Sequence, residues 1–431
     1  MPSTPQQLPT FKPPLASTGP FDRLLSRPLG PLAELARLRY THPMVDSIVD
    51  EIDGRRIRIG DHWLSDFASC NYLGFDLNPE IIAAVPEYLA RWGTHPSWSR
   101  LIASPRLFTE IEDELTDLLG AEDSLVIPTI THIHLSIIPA LAGKGAIFVD
   151  RQAHRTIQEG CLMARAQGAT VQRFDDSNPA QLEELLRACP THPRLVCIDG
   201  VNSMTGNTPP LAELASVCRT NDAILYVDDA HGFGVIGERD VCEPNPYGMR
   251  GNSLVRHIGE NYDGIILVGG FSKAYSSLLA FVACPTEVKN YLKITASPYT
   301  FSGPSPVASL ATVQAGLRLN AKQGDAIRTG LHHKTARILD EMVRIGLRTL
   351  NRSGLPIIEV PIGRPEDVDA LGKHLFKRGI YVTLAPYPVV PRGNVGFRVQ
   401  VTAANTDEEI THLISVLDEV AGMFPPAAEH E

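Results

Sequence analysis

Two short stretches of the chain put reactive side chains directly after apolar runs. Lys273 follows Ile265-Ile266-Leu267-Val268 in the segment Val268-Gly269-Gly270-Phe271-Ser272-Lys273-Ala274, and Asp228 ends the run Ile224-Leu225-Tyr226-Val227. An apolar run of this length reads as a strand buried on both faces. A lysine just past such a strand sits where water is scarce, which disfavours the ammonium and favours imine formation with a carbonyl cofactor. A carboxylate at a neighbouring strand end can hold the N–H of a pyridinium ring and keep that ring electron-withdrawing. His231, three residues past Asp228, is placed to brace the same cofactor. Alone, the lysine passes for a surface residue after a turn and the aspartate for a helix cap, a role that Asp229 also fits. Together the two segments are far more specific.

The elements that must position these groups recur along the middle of the chain. Apolar runs at Leu125–Ile127, Ala146–Val149, Leu195–Ile198, Ile224–Val227, Ile265–Val268 and Phe281–Ala283, with Thr170–Phe174 as a weaker seventh, alternate with helical patterns such as Pro179–Ala188 and Leu211–Thr220. That alternation predicts an α/β fold with a mostly parallel seven-stranded sheet, whose ligands bind at the carboxyl ends of the strands. Ahead of it, Leu32–Arg39 reads as a short helix. Ile48–Ile52 and Ile57–Ile59 read as a hairpin about Asp53-Gly54. Behind it, 306–350 reads as a long helical stretch. Ile357–Val360, Tyr381–Thr383 and Gly396–Val401 read as strands and Thr406–Ala421 as a helix, together a smaller α+β lobe. The resulting division is a flexible tail over 1–30, an N-terminal arm over 31–75, a large cofactor-binding domain over 76–310 and a small domain over 311–431.

Composition narrows the function classes. A formal net charge of −10 argues against a nucleic-acid partner, which needs a basic face. The seven cysteines are scattered and never spaced CxxC, which fits a reducing cytoplasm and argues against a disulfide framework or a metal site. No apolar run reaches the ~18–20 residues of a membrane span.

The stretch Asp228-Asp229-Ala230-His231-Gly232-Phe233-Gly234-Val235-Ile236-Gly237, with the lysine 36 residues further on, resembles the α-oxoamine synthase family over about Asp66 to Thr411. These are homodimeric fold-type I pyridoxal-phosphate enzymes that join an amino acid to an acyl thioester with loss of CO₂. The resemblance implies a Schiff base on Lys273, with His154 stacking on the ring and placed to polarise the thioester carbonyl. It implies that Ser203 bonds near the phenolic oxygen and that Arg398, in Gly396-Phe397-Arg398-Val399, grips the amino-acid carboxylate. Asn71 and Tyr72, in Asn71-Tyr72-Leu73-Gly74-Phe75, match a segment near the substrate channel, and Arg100, in Ser99-Arg100-Leu101, matches one that precedes the first large-domain helix; the resemblance implies that all three bind substrate. Ser302, in Tyr299-Thr300-Phe301-Ser302-Gly303, matches a segment that crosses the dimer interface to the partner's cofactor phosphate.

The chain also departs from the family's pattern. Pro128-Thr129-Ile130-Thr131-His132 stands where the family usually carries Gly-Phe or Gly-Tyr, whose backbone amides hold the phosphate; Thr129 and Ile130 are expected at the cofactor, with the Thr129 and Thr131 hydroxyls as donors, and Gly270 replaces a threonine, with Ser272 beside it to compensate. Phe108 stands in place of a histidine before Glu112, and Pro386 stands where some members carry an arginine. Two rival readings follow. A transaminase or another carbon–carbon bond-forming enzyme could use the same scaffold, and some heterodimeric relatives have a non-catalytic subunit. Such subunits lack the lysine, so Lys273 argues against the second.

Overall fold

The computed structural model describes residues 19–240 and 242–424. The expected flexible tail therefore lies largely outside the described residues, although Pro20–Leu25 is helical. Among the described residues fourteen strands form, in chain order. They are β1 (Glu51–Asp53), β2 (Arg56–Ile59), β3 (His62–Asp66), β4 (Asp123–Ile127), β5 (Ala146–Asp150), β6 (Thr170–Phe174), β7 (Arg194–Asp199), β8 (Ile224–Asp228), β9 (Ile265–Gly270), β10 (Ala280–Cys284), β11 (Ile357–Pro361), β12 (Ile380–Tyr381), β13 (Thr383–Ala385) and β14 (Gly396–Gln400).

The large sheet has the order β4-β10-β9-β8-β7-β5-β6. Strands β5 to β9 are mutually parallel, whereas β10 runs antiparallel to both of its neighbours. The continuous apolar runs follow from burial on both faces. Leu125, Ile127, Ile147, Val149, Leu195 and Cys197 join a core on one face, while Val126, Phe148, Val196 and Ile198 join the core on the other. This is the two-residue alternation of a pleated strand, hidden in the sequence because both faces are covered. Edge strand β6 is buried only at Phe174, which is why its apolar pattern is weak.

Two features differ from the sequence reading. His62–Asp66 forms a strand that extends the predicted hairpin, and the hairpin's turn is Gly54-Arg55, with Gly54 at φ +57°. The stretch expected as one strand at Tyr381–Thr383 breaks at Val382. One half pairs parallel with β3 and the other antiparallel with β14. A single straight strand cannot bond to both sheets, so the chain changes partner there. Helix Val307–Arg344, 38 residues and so about 57 Å long, packs on Pro79–Trp92, Arg106–Leu119 and Asp407–Met423, joining the large sheet to the C-terminal lobe. Among the described residues no helix is long and apolar enough to cross a membrane.

Candidate active site

The carboxyl ends of the parallel strands bring the sequence-selected groups into one pocket. Ile130, His154, Asp199, Val201, Ser203, Asp228, Ala230, His231 and Lys273 line one small pocket. Register explains part of this. Asp199 and Asp228 are direct partners on β7 and β8, so both carboxylates leave the sheet at the same level. Lys273 lies in the turn after β9, between the fully buried Phe271 and Ala274. Phe233, Phe271, Tyr275 and Phe281 pack ring against ring beneath that turn and hold it to the sheet. His154 follows β5 and caps helix Arg155–Ala166, its Nδ1 accepting the Thr156 N–H at 3.3 Å.

Asp228 is held from two sides. One oxygen accepts the Ala230 N–H at 3.0 Å, and the other lies 3.3 Å from His134 Nε2. His134 is fully buried, and burial pulls its pKa down to about 4 against the opposing pull of Asp228. Its Nδ1 lies 2.8 Å from Thr156 Oγ1, and the same oxygen lies 2.8 Å from His154 Nδ1. The His154 N–H donates to the Asp199 carboxylate at 3.1 Å. Burial, then the neighbouring Asp228, raises Asp199 well above the usual carboxylate range. Asp229 caps the short helix Leu254–His257 through the Leu254 N–H at 2.8 Å, and burial raises it to about 8. His231 is pulled well below its usual pKa by burial and by Lys273, and its Nδ1 lies 2.8 Å from the Tyr72 hydroxyl.

Ser203 and Arg398 meet across the lobes: Arg398 Nη1 donates to the Ser203 carbonyl at 2.5 Å and lies 3.5 Å from Met204 Sδ. The Thr129 hydroxyl oxygen accepts the His132 N–H at 3.2 Å, which opens helix Ile130–Ala142 and leaves its hydrogen free to donate. A Cβ at Gly270 would sit 3.4 Å from Ser272 Oγ and 3.9 Å from Ile130 Cδ1, so Ser272 and Ile130 share one corner with that glycine.

Other expected residues fall elsewhere. Arg100 is engaged inside the protein: its Nη1 bonds to Glu112 at 2.9 Å and to the Val126 carbonyl at 2.8 Å, with its guanidinium over the rings of Phe108 and Tyr299. It is 8% exposed and outside the pocket lining, so the substrate contact expected of it gives way to a buried ion pair at the sheet's edge. Phe108, where the family carries a histidine, is the apolar floor of that pair. Asn71 donates to Asp76 at 2.9 Å, and Tyr72 is fully buried behind His231 rather than at a channel. The Ser302 hydroxyl donates to the Gly303 carbonyl at 3.0 Å.

Sequence reasoning missed Asp199, His134 and Thr156. Asp199 carries the same signal as Asp228, an acid closing a buried strand. His134 sits inside an apolar helical run, where a polar ring needs a buried partner.

The donor set fits pyridoxal phosphate. A lysine amine, a buried carboxylate backed by an imidazole and a second imidazole at the rim surround a pocket that opens beside a helix N-terminus, which suits a phosphate. The family model for aminotransferases of class I and II matches residues 65–417. The 8-amino-7-oxononanoate synthase of Methylobacillus flagellatus is 32% identical over 396 residues, 90% of this chain and 93% of that protein. Among solved structures, the serine palmitoyltransferase of Sphingomonas wittichii superposes with a TM-score of 0.82 at 26% identity, covering 94% of this chain and 98% of that one. A structure of SPT with PLP gives 0.83 at 26% identity over 93% of this chain and 99% of that one.

Proposed function

The chain belongs to the α-oxoamine synthase family of fold-type I pyridoxal-phosphate enzymes, and we propose that it condenses a small amino acid with an acyl thioester, releasing CO₂ and a thiol and giving an α-amino ketone. The acyl carbon–sulfur bond and the carboxylate bond to the α-carbon break, a carbon–carbon bond forms, and the departing thiolate takes up a proton. The observation that carries this reading is the convergence of Lys273, Asp228 and His154 on one pocket whose rim meets Arg398 of the other lobe.

When bound, pyridoxal phosphate draws electrons from the substrate α-carbon. The protein's own groups do the rest. Lys273 would hold the cofactor, and its amine would take the substrate α-proton. Asp228 would hold a proton on the ring nitrogen, and His154 would pack against the cofactor. Ser203 and His231 would bond the cofactor's phenolic oxygen, and Arg398 would bind the substrate carboxylate, a grip its planar guanidinium suits. The Thr129 hydroxyl, the first amides of helix Ile130–Ala142 and Ser272 would hold the phosphate.

The active unit in this reading is a homodimer in which Ser302 reaches the partner's site. Trp98, Leu101, Ile102 and Phe301 support it: all are more than half exposed, on two segments joined by the Ser99 hydroxyl's bond to the Thr300 carbonyl. Residence in the cytoplasm accords with seven cysteines free of disulfides.

Mass spectrometry of products from a panel of small amino acids and acyl thioesters tests the reaction. An α-amino ketone and CO₂ are expected, whereas a 2-oxo acid without thioester use would replace condensation by transamination. Lys273→Ala should lose both turnover and the visible band of lysine-bound cofactor. Sedimentation at low concentration tests the dimer, and a fully active monomer would remove Ser302 from its role.

A further inference from the structure

Strand β11 reads Ile357-Ile358-Glu359-Val360-Pro361 and is buried along its whole length, so it sets one acid in an otherwise apolar row. Glu359 is 1% exposed. Residues that face each other on an antiparallel pair point to the same side of the sheet, with Cβ atoms about 5 Å apart. The residue facing Glu359 is Arg398 of β14. The two side chains do not hydrogen-bond. Arg398 Nη1 is turned to the Ser203 carbonyl and to Met204 Sδ, and the buried Arg398 Nε and Glu359 Oε1 both lack a partner. An acid beside a cation but not joined to it can be neutral or charged, and in a setting poor in water the cation responds strongly to the difference.

The surrounding groups leave that pair to itself. On its other flank Arg398 faces Thr383 of β13, which carries no charge. Arg392, in the turn beside β11, lies over the Tyr387 ring. The Thr349 hydroxyl and the Leu350 N–H go to the Glu359 carbonyl and not to its carboxyl. The carboxyl therefore answers to two influences: burial, which raises it to about 7, and Arg398, which opposes the rise.

We propose that Glu359 is a positioning residue for Arg398: as a neutral acid it leaves the guanidinium to an incoming carboxylate, and as a carboxylate it competes for it, so its proton governs how tightly an amino acid is held by its carboxyl group. The effect on substrate rests on the reading of Arg398 as the partner of the amino-acid carboxylate, but the coupling of the two side chains does not. By linkage, a ligand carboxylate that takes the arginine raises the affinity of Glu359 for its proton, and the proton raises the affinity for the ligand by the same factor. Above about pH 7, binding of an amino acid then takes up a proton at Glu359.

Two measurements test this. In cofactor-free protein with ¹³C-labelled glutamate carboxyls, the Glu359 resonance, identified by its loss in Glu359→Gln, should titrate well above the ordinary 4.5, and Arg398→Met should move it higher still. A titration unchanged by Arg398→Met would overturn the proposal. In the holoenzyme, the dissociation constant of glycine is read from the visible band of the lysine-bound cofactor. The ratio of the wild-type value to that of Glu359→Gln should rise roughly 10-fold between about pH 6 and about pH 8.5, the equivalent of one pKa unit of coupling. The ratio cancels the titration of the glycine amine, which both proteins share. Glycine methyl ester, which has no carboxylate, should give a flat ratio. A flat ratio for glycine, or an equal rise for the ester, would overturn the proposal. Glycine affinity that is indifferent to Arg398→Met, in protein whose Glu359 titration does respond to it, would instead overturn the substrate role of Arg398 and leave the coupling standing.

Discussion

Glu359 and Arg398 stand directly opposite one another on the antiparallel pair β11–β14, and each has a buried side-chain atom without a hydrogen-bond partner, Glu359 Oε1 and Arg398 Nε. Burial pushes the Glu359 carboxyl up to about 7, against the pull of Arg398. The folded protein therefore keeps a proton that the unfolded chain releases above about 4.5. This group's contribution to stability is full below that value and is lost as pH rises through about 7. Denaturant unfolding at about pH 5 and about pH 8 should show Glu359→Gln losing less stability over that interval than the wild type, by up to about 3 kcal/mol. Equal losses in both proteins would mean that Glu359 titrates normally.

Arg100 is expected to matter for stability and not for substrate. Replacing it by Met strips Glu112 of one cation and leaves the Val126 carbonyl without its donor, at a cost of about 3–5 kcal/mol. Lys289, 3.4 Å from Glu112, moderates that loss. Thermal unfolding and the amino-acid KM separate the two roles. A raised KM with unaltered stability would restore the substrate contact.

Asp228→Asn should reduce deuterium exchange at the substrate α-carbon by roughly 100-fold or more, the scale of removing one preorganised electrostatic partner. Cofactor affinity should fall much less, because the lysine tether and the phosphate contacts remain. Undiminished exchange would mean that another group keeps the ring nitrogen protonated.

Tyr72→Phe removes the hydroxyl 2.8 Å from His231 Nδ1 and sits too deep to touch substrate. One hydrogen bond is worth about 0.5–1.5 kcal/mol, so kcat should fall about 2- to 12-fold with KM unmoved. A change confined to KM would place Tyr72 at the substrate channel.

The large sheet was legible because six of its seven strands leave an apolar run, β6 being the weak one, and Lys273 and Asp228 were legible because each follows such a run. The half-buried elements were harder. His62–Asp66 carries His, Ser and Asp, so its pairing depends on neighbours that the local pattern does not name. The split at Val382 is decided by two sheets competing for one segment. Arg100 was expected at the substrate because Ser99-Arg100-Leu101 resembles a family segment, yet Glu112 and the Val126 carbonyl, both distant in the chain, determine where its charge goes. His134 was invisible for the opposite reason. Its helix reads as core, and only the fold reveals that the core at that point contains a carboxylate.

The bond from Arg398 to the Ser203 carbonyl has a consequence for selectivity. Its Nη1 is already engaged by a neutral acceptor, so a ligand that takes this nitrogen must displace the carbonyl. A neutral competitor gains nothing in that exchange, because it swaps one ordinary hydrogen bond for another. A carboxylate replaces the carbonyl with a charge-assisted pair of roughly twice the strength. Ser203 thus acts as a reference ligand carried by the protein itself, against which every candidate anion is weighed. Because it belongs to one lobe and the arginine to the other, the same exchange also releases the tie between the lobes at the moment the site is filled.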